Sequence, residues 1–140
     1  MYRKEFTKTP KKDLVREVKL MRKSAELGLS PNVLKTDQTT FIEMEHSGPT
    51  ISEVFGEHID DLPNDIRQSI YDILQTLWQH GIQYRDVTPY NFTFKDGRVW
   101  VIDFGHANEY KRLDGYLSYI FKEGWLVNWN PDFISLSALE

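Results

Sequence analysis

Three oxygen-bearing side chains set the chemistry this chain can attempt: Asp86, Asn91 five positions later, and Asp103 seventeen positions after the first. They lie in Gln83-Tyr84-Arg85-Asp86-Val87-Thr88-Pro89-Tyr90-Asn91 and in Asp103-Phe104-Gly105, with an Asp96-Gly97 turn between. Carboxylate and amide oxygens are what a hard divalent cation binds. One aspartate facing an incoming hydroxyl, with an amide and a second carboxylate holding Mg²⁺ on a phosphate chain, is the equipment of phosphoryl transfer. Taken singly the groups are ordinary, because an aspartate and an asparagine five apart often only cap turns and strand ends.

The elements around these residues must bring them together. Ile66, Ile70, Ile73, Leu74 and Leu77 recur at helical spacing from Pro63 to His80, with Pro63 in the first turn and Gly81 just past the end. This helix delivers Ile82 to Tyr84 into the Asp86 segment. Phe92 to Phe94 and Arg98 to Ile102 flank Asp96-Gly97, the strongest two-residue hairpin signal. Closing that hairpin brings Asn91 and Asp103, at its outer ends, close together. Upstream, Leu14, Val18, Met21 and Ala25 form an apolar stripe over residues 10 to 27, started by Thr9-Pro10 and stopped by Gly28. Glu17 sits on the flank of that stripe and Glu26 well away from it. Asn32 to Thr36 and Thr40 to Glu45 read as an antiparallel strand pair around Asp37-Gln38. Ser47-Gly48-Pro49 is a boundary by its breaker content. After Gly105 come a helix signal from Lys111 to Lys122 and an aromatic tail with Trp125, Trp129 and Phe133.

This order of motifs resembles the protein-kinase-like superfamily, whose catalytic loop reads H-R-D-x-x-x-x-N and whose metal loop reads D-F-G. Arg85, Asp86 and Asn91 match, Tyr84 stands in place of the histidine, and Thr88 stands where serine/threonine protein kinases usually carry a lysine. The likeness runs from about residue 2 to 110. It implies an α+β, protein kinase-like fold in one domain: a reduced N-lobe over 1–46, with a helix and short antiparallel strands, and a truncated, mainly helical C-lobe over 47–140. It also implies roles. Asp86 would orient the acceptor hydroxyl and take up its proton, with Arg85 and Tyr84 holding the loop. Asn91 and Asp103 would bind the metal and, through it, the nucleotide. Met44 falls at the gatekeeper position and Glu45-His46-Ser47 at the hinge, where backbone groups meet the adenine edge. Tyr2-Arg3-Lys4-Glu5-Phe6 reads as a remnant of the lysine-bearing strand, with Tyr2, Lys4 and Phe6 on one face. Lys4 is then the candidate phosphate-binding lysine and Glu17 its partner carboxylate. Lys8 competes for that role, and a solvated basic terminus and a solvated helix charge are the plain alternatives for Lys4 and Glu17.

The departures carry equal information. The glycines stand at 28, 48, 56, 81, 97, 105, 115 and 124, so no G-x-G-x-x-G can be written, and no A-P-E follows. At 140 residues the chain is about half a two-lobed kinase. Without cysteine there is neither a disulfide framework nor a thiolate zinc site. A net charge of −4 disfavours nucleic acid as a partner, and with no long apolar run or signal core a cytoplasmic protein is expected. The four histidines, His106 after the metal loop among them, receive no catalytic role. The expected function is a minimal atypical kinase, serine/threonine-type, passing the γ-phosphate of ATP with Mg²⁺ to a hydroxyl on a protein or small molecule. The alternative is a pseudokinase or kinase-fragment mimic that binds a partner kinase or a second copy. A nucleotide-dependent ATPase or switch would use the same site without an acceptor.

Overall fold

The computed structural model describes residues 2–6, 11–84, 87–105 and 107–109. Over these the chain runs β1 (Tyr2–Glu5), α1 (Lys11–Glu26), β2 (Val33–Thr36), β3 (Phe41–Met44), α2 (Ile51–Val54), a 3-10 turn (Ile59–Asp61), α3 (Asn64–Gln79), β4 (Ile82–Gln83), β5 (Phe92–Lys95), β6 (Arg98–Val101) and β7 (Asn108–Glu109). Helices alternate with small antiparallel sheets, the mixed α and β makeup expected. Lys8, Arg85, Asp86, His106, the helix expected from Lys111 to Lys122, and Trp125, Trp129 and Phe133 lie outside the described residues.

The two long helices follow their apolar periods. In α1, Leu14, Val18 and Met21 are buried as the stripe requires, joined by Leu20. Glu17 goes into the core with them, only 3% exposed. In α3, Ile66, Ile70, Ile73, Leu74, Leu77 and Trp78 are buried. Pro63 stands at the N-cap, one place ahead of the first turn, its extended ψ of 152° suiting the residue that leads into a helix. Gly81, at φ +81°, lets the chain leave the last turn in a left-handed conformation.

The expected strand pair is β2 and β3, and β1 adds a third strand to the other side of β3, giving the order β1-β3-β2. Tyr2 pairs with Met44 and Lys4 with Ile42. At the β2–β3 turn the Asp37 carboxylate accepts the Thr40 hydroxyl and the amides of Thr39, Thr40 and Phe41. Those bonds, the Thr40 hydroxyl first, hold its carboxyl below the usual range. The second hairpin pairs Phe92 with Val101 and Lys95 with Arg98. Its turn residues Asp96 and Gly97 both have positive φ, 56° and 71°, as a type I′ turn demands.

Polar links, those of Ser24 and Ser30 buried, fix the second hairpin against the rest. Ser24, on α1, shares a 2.7 Å hydrogen bond with Ser30, whose hydroxyl donates to Val101 O at 2.7 Å. Val101 N–H donates to Leu29 O at 2.9 Å, and the Arg98 guanidinium reaches Gly28 O. On the other side Phe94 N–H donates to Pro49 O at 2.9 Å. This contact draws the chain so close at Gly48 that a Cβ there would lie 2.2 Å from Phe94 O, at a φ of +88°. Gly48→Ala should therefore cost about 2 to 4 kcal/mol, left-handed strain plus steric overlap. Gly97→Ala, with nothing within 4 Å, should cost only the strain, about 1 to 2 kcal/mol. Urea midpoints of the two variants check this, and equal losses would contradict the close approach.

Candidate functional site

The site is assembled around one ammonium group. Alternation along β1 turns Tyr2, Lys4 and Phe6 to one face, while Arg3 and Glu5 pair with each other in solvent and Arg3 also meets Glu43. Lys4 Nζ lies 2.7 Å from Glu17 Oε1 and 3.1 Å from Asp103 Oδ1, and 4.9 Å from the centre of the Phe6 ring. Lys4 and Glu17 are thus an ion pair in the structure.

Burial and charge pull these groups in opposite directions. For Lys4, desolvation is the largest single influence and acts to lower its pKa. The charges of Asp103 and Glu17 and their hydrogen bonds together outweigh it, so the ammonium is held above its ordinary 10.5 and stays charged. For Glu17, burial raises the carboxyl above its ordinary 4.5. The Lys4 charge offsets this only in part, helped by the Phe104 amide.

Asp103 is delivered by the β5–β6 hairpin. Register places Asn91 opposite Ile102, and Ile102 N–H donates to Asn91 O at 2.9 Å, so Asn91 and Asp103 stand at the open end of one hairpin. Asp103 has a φ of +62°, which an aspartate tolerates better than most residues. Gly105 N–H closes back on Asp103 Oδ1 at 3.1 Å. Beneath it, the Tyr84 hydroxyl donates to Ile102 O at 2.5 Å. The Tyr84 ring packs edge-on against Phe92 and Phe104, at 6.0 and 5.3 Å between centroids. The residue standing in the histidine position therefore props the carbonyl just ahead of Asp103.

Beside the ion cluster opens a cleft of about 440 Å³, within the range of small-molecule sites. Tyr2, Met44, Thr93 and Ile102 line it together with His46 to Thr50, Glu53 and Tyr90. Met44 and Ser47 are thus cleft residues. The amide and carbonyl of Ser47 make no hydrogen bond to the described residues. Glu45 is placed differently: its amide and carboxylate both bond to Asn32, at 3.0 Å each, and its side chain lines a smaller neighbouring depression of about 190 Å³. Asn91, 5% exposed, and Asp103 adjoin the cleft through Ile102 without lining it. Arg85 and Asp86 lie outside the described residues.

Among the described residues no cluster of three or more His, Cys, Asp or Glu side chains is placed to hold a metal ion. An amide and one carboxylate nevertheless fit Mg²⁺, which usually completes its shell with water and phosphate oxygens. Sequence reasoning passed over Thr50 and Glu53, although Thr50-Ile51-Ser52-Glu53 carries a capping-box pattern. Thr50 caps α2, taking the Glu53 amide, and its hydroxyl meets the Glu53 carboxylate at 3.1 Å.

No protein-family model matches the chain. Among curated proteins it is similar to one named a probable serine/threonine-protein kinase BUD32 homolog, from Archaeoglobus fulgidus. The two are 28% identical over 108 residues, 72% of this chain and 55% of that protein. The chain spans about half the length of the curated relative it matches. The likeness is to a kinase-like protein, and the chemistry it suggests is phosphotransfer.

Removing Lys4 leaves Glu17 buried without its cation, so Lys4→Met should destabilise by about 3 kcal/mol, and adding Glu17→Gln should recover part of that. The pH dependence has a definite sign. Lys4 contributes stability that is complete below pH 10.5 and lost as pH rises through its higher folded value. Glu17 acts in the acid range: wild type is most stable relative to Glu17→Gln below pH 4.5, and the difference shrinks as pH rises through the raised folded value. Denaturant titrations from pH 4 to 11 read both windows. Tyr84→Phe should cost about 1 kcal/mol through the lost bond to Ile102 O, seen as a lower urea midpoint.

Proposed function

We propose that the protein is an ATP- and Mg²⁺-dependent phosphotransferase of the serine/threonine kinase type, transferring the γ-phosphate to a hydroxyl group. The observation that carries this reading is Lys4 held between Glu17 and Asp103, on the strand whose Tyr2 lines the cleft. A lysine kept charged and pinned by a buried carboxylate is a preorganised contact for the α/β-phosphates, and it needs no rearrangement as charge develops. The nucleotide base lies in the cleft lined by Tyr2, Met44, Thr93 and Ile102, with the Ser47 backbone also in its lining. Its phosphates run toward Lys4. Asn91 and Asp103 hold Mg²⁺, which when bound neutralises phosphate charge. From the sequence, Asp86 takes the final role. It orients the acceptor hydroxyl, whose oxygen bonds to the γ-phosphorus as the bond to the β–γ bridging oxygen breaks; ADP leaves and the hydroxyl proton passes to Asp86. The likeness to a kinase-named protein supports the same chemistry.

Two measurements test it. ATP with Mg²⁺ should raise the melting temperature more than either alone. Transfer from γ-labelled ATP to a generic protein acceptor or to the chain itself should fall about 10²- to 10³-fold in Lys4→Met/Glu17→Gln, the scale of one lost transition-state contact. Asp86→Ala and Asp103→Ala should reduce it to background. ATP stabilisation with no transfer in wild type would leave the regulator reading, and the absence of both would remove the nucleotide site.

A further inference from the structure

The first strand is an open edge. The order β1-β3-β2 leaves one side of Tyr2–Glu5 without a neighbouring strand among the described residues. Phe6 N–H donates to Thr40 O at 2.7 Å, so with the register of β1 on β3 the backbone groups of Tyr2, Lys4 and Phe6 face β3. The amides and carbonyls of Arg3 and Glu5 therefore point out of the sheet. An open row of this kind is a template for another strand unless something blunts it. The opposite edge is blunted, because β2 follows Pro31 and shifts register between Val33 and Lys35. In contrast, β1 pairs evenly through four successive residues, with no bulge and no proline.

We propose that this edge is a pairing surface for a second copy of the chain, β1 lying antiparallel against β1 about a two-fold axis at Lys4. The inference is independent of the phosphotransferase reading. The order of side chains selects both the occupant and the register. Residues whose backbone groups point outward must face each other across the new ladder, so Arg3 lies opposite Arg3, Glu5 opposite Glu5, or Arg3 opposite Glu5. The last of these alone brings opposite charges together, and two-fold symmetry makes the pair twice. That register also sets Tyr2 opposite Phe6 of the second copy, giving two aromatic pairs at the closely spaced positions of the ladder. Tyr2-Arg3-Lys4-Glu5-Phe6 is in this way its own complement. Arg3 and Glu5 are available for it: their side chains are 47% and 67% exposed, and the 3.0 Å contact they make with each other along the strand is a solvated one. On the axis Lys4 meets Lys4 of the second copy, an opposition softened because each ammonium is already matched by Glu17 and Asp103. Five residues a side bury less surface than a permanent dimer does, so the association is weak and concentration-dependent.

Sedimentation equilibrium over a concentration series reaching about 1 mM tests this. Wild type should pass from monomer to dimer. Arg3→Glu and Glu5→Arg should each weaken the dimer about 10-fold or more, because each sets like charges opposite one another twice. Mixed in equal amounts, the two variants should recover most of the wild-type association, and so should the exchange Arg3→Glu/Glu5→Arg in one chain. A variant that misfolds cannot produce that recovery. In hydrogen exchange the amides of Arg3 and Glu5 should gain protection as concentration rises, while those of Lys4 and Phe6, already bonded to β3, should not. A wild-type monomer throughout overturns the proposal; Arg3 and Glu5 amides protected in that monomer would show another segment of the same polypeptide covering the edge. A dimer indifferent to both charge variants, or variants that do not recover on mixing, overturns it as well and places the contact elsewhere.

Discussion

The arrangement depends on a single cation shared by two carboxylates that the sequence places far apart. Glu17 is thirteen residues from Lys4 and Asp103 is ninety-nine, and both reach the same nitrogen. Glu17 is the group that makes this obligatory. A carboxylate only 3% exposed within an apolar helix face is costly unless a counter-charge meets it, and Lys4 is that charge. Once β1 is bound to α1 in this way, the Tyr2 face of the strand is fixed over the cleft. Asp103 is then drawn to the same ammonium from the other side. The Ser24–Ser30–Val101 links matter because they hold β6 against the end of α1, which sets where Asp103 emerges.

Asp103 itself is held by over-determination. A non-glycine residue at φ +62° carries strain of about 1 to 3 kcal/mol, and such strain persists where surrounding bonds leave no alternative. Here the bonds come from every direction. Tyr84 fixes the preceding carbonyl, Gly105 closes on the carboxylate, Lys4 pairs with it, and Phe104 is wholly buried just after it. A phenol suits the Tyr84 position because it fills the space between Phe92 and Phe104 with its ring and still reaches Ile102 O with its hydroxyl.

Much of this was legible from residue order alone, and the limits are physical. Both long helices were readable to within a residue or two because sixteen residues at 3.6 per turn repeat their apolar face several times. The Asp96-Gly97 hairpin was readable because few residue pairs accept two positive φ angles. The four-residue α2 has no room for a period, and its capping pattern alone was too brief a signal. The pairing of β4 with β7 joins two-residue strands separated by most of the hairpin region, so no local pattern announces it. Lys4 and Glu17 were legible as candidates from alternation and helix position. Their meeting was expected through the family resemblance alone, because a charged residue beside an apolar stripe reads the same whether it finds a partner inside or water outside. Glu45 shows the converse: the sequence put it at a hinge, and tertiary bonding to Asn32 turned its side chain to the neighbouring depression.

The electrostatics of the cluster constrain any phosphate ligand. With Glu17 and Asp103 ionised, one ammonium against two carboxylates leaves the site net negative, and a triphosphate adds more negative charge at close range. Lys4 alone does not neutralise that charge, because whatever contact it makes with a phosphate is shared with two existing partners. A divalent cation resolves the conflict, since it offsets Asp103 and the phosphates together. Yet the described residues offer it only an amide and one carboxylate, too few protein oxygens for a Mg²⁺ site that fills ahead of its nucleotide. On the phosphotransferase proposed above, metal and nucleotide would bind as one unit, each raising the affinity of the other by the same factor. A site built on these residues would, on that proposal, hold the metal–nucleotide complex more tightly than either component alone.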